Sequence, residues 1–340
     1  MTALATTGAQ AAPTHPPSAS LGLLRTVLRL HRPALYVWAG LFAVLVVALL
    51  WLYGPGTDAA AAAWRQYNRC GTGACAYDQR AIINYKTVEQ YTTLGVTLVP
   101  FLAAAWAGAS LTGRELESGT AQLSWTQSVS PARWLAFRLA VPAALVTAGT
   151  SVLVLLHNRV WTHGRGRIDN TKSWTDVLTF QANGTTTVAF ALFGLAFGAL
   201  AGLVLRRSLA SLAVTVVATG AVWAVAGAAR SHLWPSETTV TPLTDDGPRS
   251  LGLTVREGLL TANGERLSNP YCGSRDFTPC RDLYDRLGAV SFFTDSHPYS
   301  HYWPLQLTAT ALVLALAAVA VLVCFRLLRR HTGTLPKEYA

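Results

Sequence analysis

Six apolar stretches set the rhythm of the chain: Leu35 to Tyr53, Thr92 to Thr112, Leu139 to Leu156, Thr185 to Leu205, Leu209 to Ala229 and Leu305 to Phe325. None contains Asp, Glu, Lys or Arg. At a rise of about 1.5 Å per residue, helices of about 18 to 21 residues cross a hydrocarbon core of roughly 30 Å. Hydrocarbon offers no partner to a backbone N–H or C=O, so a helix that bonds itself internally is the structure each stretch predicts. The pattern therefore predicts an all-α integral membrane protein with six transmembrane helices. Arg206-Arg207-Ser208 is the whole link between the fourth and fifth stretches and makes them a hairpin. The first stretch is long and follows a leader of more than thirty residues, so it is expected to stay in the membrane rather than be cleaved.

The polar segments divide the rest. Residues 1–19 are rich in Ala, Thr and Pro and are expected to be disordered. From Ser20 to His31, Leu24, Val27, Leu28 and Leu30 alternate in helical register with Arg25, Arg29 and Arg32. Residues 20–33 thus read as an interfacial amphipathic helix or as a plain extension of the first span, and Pro33 marks the turn into the membrane. Residues 34–330 form the membrane domain and 331–340 a C-terminal tail.

Composition narrows the class. With 51% hydrophobic and 13% charged residues the chain is too apolar for an ordinary soluble protein of 340 residues. The net charge of +10 does not indicate nucleic acid, because the basic residues line membrane edges and form no run with interleaved aromatics. Anionic lipid headgroups account for them better. With both termini in the cytoplasm, the inner segments are richer in Arg per residue and hold three acidic residues, Glu115, Glu117 and Glu338, of the chain's 17. That orientation also puts Cys70, Cys75, Cys272 and Cys280 outside, where disulfides persist; Cys70 with Cys75 and Cys272 with Cys280 are the expected pairs. Their spacings suit zinc poorly, and Cys324 reads as a buried apolar residue.

The most informative polar segment runs from Gly113 to Trp134, between the second and third spans. Gly119 can break the helix leaving the second span, Ala121 to Gln127 can form a short helix, and Ser130-Pro131 supplies a capping hydroxyl and an N1 proline. A short cytoplasmic helix held across two spans can pass force from a docked protein to those spans.

Glu115-x-Glu117-x-Gly119-Thr120-x-x-Leu123, with Thr126, Val129-Ser130 and Arg133-Trp134-Leu135, resembles the coupling-helix loop of bacterial ABC-2 type transporter permeases, especially the actinobacterial branch. His297-Pro298 and Tyr302-Trp303-Pro304-Leu305-Gln306 are similar to that branch's approach to the last span. Thr308 stands where some relatives carry an acidic residue, so no role transfers to it. The resemblance implies a multi-pass permease subunit of the bacterial plasma membrane. It would work as a homodimer, or as a heterodimer with a sister permease, driven by separate ATP-binding cassette subunits, with export as the favoured direction. Carried over, Glu115 and Glu117 are polar contacts of the loop, Gly119 the hinge, Leu123, Trp125 and Thr126 the docking face, and Thr120 a further residue of the coupling to the ATP-binding subunit. Arg133 and Trp134 anchor the third span.

The remaining features fit that frame. No Gly-x4-Gly-Lys-Ser/Thr phosphate loop is present, so ATP hydrolysis is expected in another subunit, with no cofactor and no metal here. The six stretches lack Asp, Glu, Lys, Arg and His, against the habit of proton- and sodium-coupled carriers. His157, His163 and Asp169 are too loosely spaced to nominate as a catalytic triad, and His297 with His301 and Asp295 read as loop residues rather than ligands. The rival functions are a membrane sensor or immunity-type protein docking a regulator, and a membrane-embedded enzyme of lipid or glycan chemistry. Gly194, Gly198 and Gly202 form a groove on the fourth span, for packing within the chain or for a dimer seam. In the long extracellular loop before the sixth span, Leu287 to Tyr302 is expected to form a short helical cap.

Overall fold

The computed structural model describes residues 22, 28–70, 75–119, 130–169, 171–243, 249–250, 252–270 and 277–332. Among the described residues, six helices are long and apolar enough to cross a membrane. They are α1 (Arg32–Trp51), α3 (Gln79–Ser110), α5 (Pro131–Gly164), α7 (Thr186–Leu205), α8 (Ser208–Ala229) and α10 (Tyr302–Thr332). Between them come α2 (Thr57–Asn68), α4 (Gly113–Glu117), α6 (Val177–Ala182) and α9 (Phe277–Arg286). Because the spans alternate, residues 113–119, Ser130, the Arg206-Arg207 turn and the end of α10 share one face, here the loop face. The other connections share the opposite face.

Several helices outrun the apolar windows that predict them. The first continues past Tyr53 through a π-helical turn, Leu52–Gly56, into α2. Pro55 sits in that turn: it has no N–H to donate and its ring crowds the preceding carbonyl, so the ladder widens instead of stopping. Thr57 Oγ1 donates to the Leu52 carbonyl at 2.5 Å and satisfies one of the freed acceptors. Local chemistry also sets the starts. Asp78 Oδ1 accepts from Ala81 N at 3.1 Å at the head of α3, and Ser130 Oγ accepts from Arg133 N at 3.4 Å at the head of α5, with Pro131 in the first turn. Arg206, in the left-handed region at φ 51°, stops α7, and extended Arg207 starts α8.

The core is organised around α7, the most enclosed span. Its three glycines face α3 and the start of α4. A Cβ at Gly194 would lie 2.8 Å from Ala104 Cβ, one at Gly198 2.7 Å from Gly108 N, and one at Gly202 2.7 Å from Gly113 N. On the other side of α3, a Cβ at Gly108 would lie 2.7 Å from the Ser211 carbonyl of α8. Helix α3 is therefore held backbone-close between α7 and α8, and the groove of Gly194, Gly198 and Gly202 is filled by the chain itself. Thr112 Oγ1, donating to the Ala199 carbonyl at 2.9 Å, adds a polar tie. By contrast α1 is peripheral, with Tyr36, Val37, Val44 and Val47 more than 60% exposed.

The connection before the last span corrects an expectation, and with it the all-α class. It carries β1 (Glu237–Pro242), β2 (Gly252–Thr261), β3 (Arg266–Ser268) and β4 (Ala289–Pro298) in one antiparallel sheet of order β1-β4-β2-β3. The predicted helical cap at 287–302 is the central strand β4, followed by a single 3-10 turn. Strand pairing on both sides and the packing of α9 leave β4 almost wholly buried, which hides the alternation that marks a strand in sequence. Helix α9 lays Cys280 and Tyr284 on Leu259 and Phe292 of the sheet. Cys70 is bonded to Cys75 as expected. Cys280 is also in a disulfide, while its predicted partner Cys272 lies outside the described residues.

Candidate functional site

The loop face carries the segment singled out from the sequence. Helix α4 leaves the end of α3 with Gly113 buried, its Cα within 4 Å of where a Cβ on Gly202 would stand. Glu115 then turns back to Arg138 on α5 and forms an ion pair, with side-chain exposures of 12% and 7%. The same guanidinium donates to the Leu111 carbonyl at 3.4 Å and lies 5.3 Å from the centre of the Trp134 ring. Leu116 packs beside these residues on a cluster that includes Leu111, Trp134, Leu135, Leu203 and Leu328. Glu117 points the other way: its Oε2 accepts from Ser208 N at 3.0 Å and from Ser208 Oγ at 2.9 Å. Ser208 is the first residue of α8, whose own N-cap, Arg207, makes no side-chain capping bond. Glu117 thus supplies from 91 residues away the acceptor that a helix N-terminus favours.

Gly119 adopts φ +72°, a conformation that costs other L-residues energy, and a Cβ there would meet nothing within 4 Å. Thr120, Leu123, Trp125 and Thr126, the rest of the expected coupling residues before α5, lie outside the described residues. Arg133 is exposed on the first turn of α5. Trp134, expected to anchor at the membrane edge, is only 3% exposed and belongs to the core beneath the loop. His31, just before α1, stacks edge-on against Trp106 at 5.0 Å. Burial, with the nearby Arg138 charge, pushes its pKa down to about 4, so the ring is neutral at physiological pH.

Sequence reasoning missed both partners of the carboxylates. Arg138 and Ser208 look like ordinary helix-end residues, and nothing local links them to Glu115 and Glu117. It also missed a buried polar network at the opposite end of the bundle. Helices α3 and α5 extend beyond the apolar windows and bring Glu89 and His157, both buried, inside. His157 Nδ1 faces Asn183 Oδ1 at 2.6 Å and its Nε2 faces Thr93 Oγ1 at 2.9 Å. Gln306 of α10 donates to the Phe180 carbonyl at 2.5 Å and accepts from Thr186 N at 3.3 Å. Both residues lie just outside the apolar stretches, which hold no Asp, Glu, Lys, Arg or His, but inside the longer helices that contain them. The legible signal was Glu89-x-x-Thr92-Thr93, polar residues three and four apart on one helical face.

Among the described residues no cluster of His, Cys, Asp and Glu could hold a metal ion. His297 and His301 are joined instead to their surroundings, His297 Nε2 donating to the Ser231 carbonyl at 3.0 Å and His301 Nε2 lying 3.1 Å from Glu237. A family model described as ABC-2 membrane transporter related matches residues 39–230, more than half of the chain. A search of curated proteins and one of solved structures returned no match. The matched region includes α4 and both of its carboxylate ties, and it ends before the sheet.

Proposed function

The chain belongs to the ABC-2 membrane transporter related family, and from that premise we propose that it is the pathway-forming permease subunit of an ATP-driven exporter in a bacterial plasma membrane. Both termini and the 113–134 loop face the cytoplasm. Separate ATP-binding cassette subunits dock on that loop, and two permease chains, identical or sister, complete the pathway.

The observation that carries this reading is the pair of divergent carboxylates on α4. Glu115 is tied to Arg138 of α5 and Glu117 to the first residue of α8, while Gly113 is wedged against α7. A push on the loop cannot be absorbed locally: it loads the third, fourth and fifth spans together. That is the mechanical property a coupling element needs, and a solvated tether would lack it. Gly119, at positive φ, gives the loop a bend just beyond these ties, where the docking face of Leu123, Trp125 and Thr126 would begin.

Affinity purification of the tagged protein from its native host in mild detergent, with an ATPase assay on the eluate, tests the proposal. The expected result is an ATP-binding subunit whose association weakens on Leu123→Asp, with ATP hydrolysis uncoupled from export by Gly119→Leu. Recovery of a kinase, toxin or other non-ATPase partner, under conditions that keep a known transporter complex together, would replace it with the sensor or immunity reading.

A further inference from the structure

A cavity of about 270 Å³ separates α1 from the body of the bundle. Trp38 and Phe42 of α1, Val99 and Trp106 of α3, and Leu145 and Gly149 of α5 form its walls. Apart from indole nitrogens, His31 and Thr150 are the polar side chains on it. The lining runs along α5 from Val141 to Leu153, about 18 Å at the helical rise, and reaches Leu28 and His31 at the loop-face end. A single leaflet is roughly half of a 30 Å hydrocarbon core, so the groove is one leaflet deep.

Physical chemistry restricts the occupant. Apolar cavities of this kind stay dry, because a water inside would find too few partners. Left empty, the walls forfeit dispersion contacts on one side. The charges next to the loop-face end of the lining are cationic: Arg29 and Arg32 are exposed and adjoin the lining residues Leu28 and His31 in the chain. Arg138, close behind His31, is already matched by Glu115. Arg32 Nε donates to the Tyr36 hydroxyl at 2.8 Å, one turn further along α1.

We infer that this groove binds one acyl chain of an anionic glycerophospholipid from the loop-face leaflet, with the phosphate on Arg29 and Arg32. The lipid seats the otherwise loosely packed first span against α3 and α5. It is a resident ligand and not the exported cargo, and its binding requires neither the ATP-binding subunit nor transport. Failure of the function proposed above leaves it untouched.

Native mass spectrometry of the full chain in mild detergent, titrated with phosphatidylglycerol or phosphatidylcholine of matched chains, decides it. The wild type is expected to retain one phosphatidylglycerol, in preference to phosphatidylcholine by about tenfold or more. Gly149→Phe fills the groove, since a Cβ there meets only Phe42 Cδ2, at 3.9 Å, and the bound lipid should be lost. Gly40→Phe, on a face of α1 with nothing within 4 Å of its Cβ, should retain it. Arg29→Gln with Arg32→Gln, both on exposed positions, should abolish the headgroup preference even if Gly149→Phe fails to fold. Equal retention of the two lipids by the wild type, or an unchanged preference in the double arginine variant, overturns the assignment. So does a dimer that Gly149→Phe dissociates, which would make a second copy the occupant.

Discussion

Replacing Glu115 by Ala removes one partner of a nearly buried ion pair and leaves the other in place. The Arg138 side chain is 7% exposed, so its charge cannot simply turn to water. Breaking such a pair by truncating one side typically costs about 3–5 kcal/mol. Arg138 keeps two contacts that soften the loss: the Leu111 carbonyl at 3.4 Å, long for a hydrogen bond, and the face of Trp134 at 5.3 Å. A desolvated cation–π contact is worth roughly 2 kcal/mol. The expected destabilisation is therefore about 1–3 kcal/mol. The double change Glu115→Leu with Arg138→Met removes both charges and should come within about 1 kcal/mol of the wild type, because no buried charge is stranded. Denaturant unfolding in detergent, followed by the helical circular dichroism signal, measures all three. If Glu115→Ala unfolds with the wild type, or if the double variant is no better than the single one, the pair is not the buried clamp inferred here.

Gly198→Leu should destabilise the fold by more than about 3 kcal/mol, since its Cβ alone would lie 2.7 Å from Gly108 N and the helices must part; Gly40→Ala, in open space, should be neutral or slightly stabilising, and thermal unfolding of the two separates packing from helix propensity. Cys70→Ser should cost about 2 kcal/mol at most, because the bridge closes a loop of only five residues, and the same unfolding experiment with and without reductant checks it. His31 has a folded pKa depressed to about 4 from 6.5, so the unfolded chain binds the proton more readily. Its contribution to stability is then full above about pH 6.5 and is lost as pH falls toward 4. A His31→Phe variant should unfold with a flatter dependence across that window, and identical slopes would refute the burial argument.

How much of the site could be read in advance differs residue by residue. Ser130 and Pro131 announce a helix start because capping is satisfied within three residues, and α5 begins there. Gly119 announces a break because the constraint is on its own backbone angles. Glu115 and Glu117 were legible as charged residues near a helix end, but their directions were not. One carboxylate faces α5 and the other α8, and the choice depends on how α3, α7 and α8 cross. Glu89 and His157 were passed over because a hydropathy window ends where charge begins, while the helix itself continues as long as neighbours bury and bond its polar residues.

Six spans, the Ser130 cap of the third, the hairpin at Arg206 and Arg207, the glycine groove on the fourth span and the Cys70–Cys75 bridge are all legible in the sequence alone. Each rests on forces acting within about twenty residues: the bilayer's demand for apolar length, the unpaired amides of a helix start, the steric freedom of glycine, the closure of a short loop. That α3 fills that groove, that β4 is a strand with partners on both sides, and that Glu117 caps a helix 91 residues away follow from the assembled fold alone. Those outcomes belong to surfaces that meet only when the chain has folded, and no local pattern encodes which surface will be the neighbour.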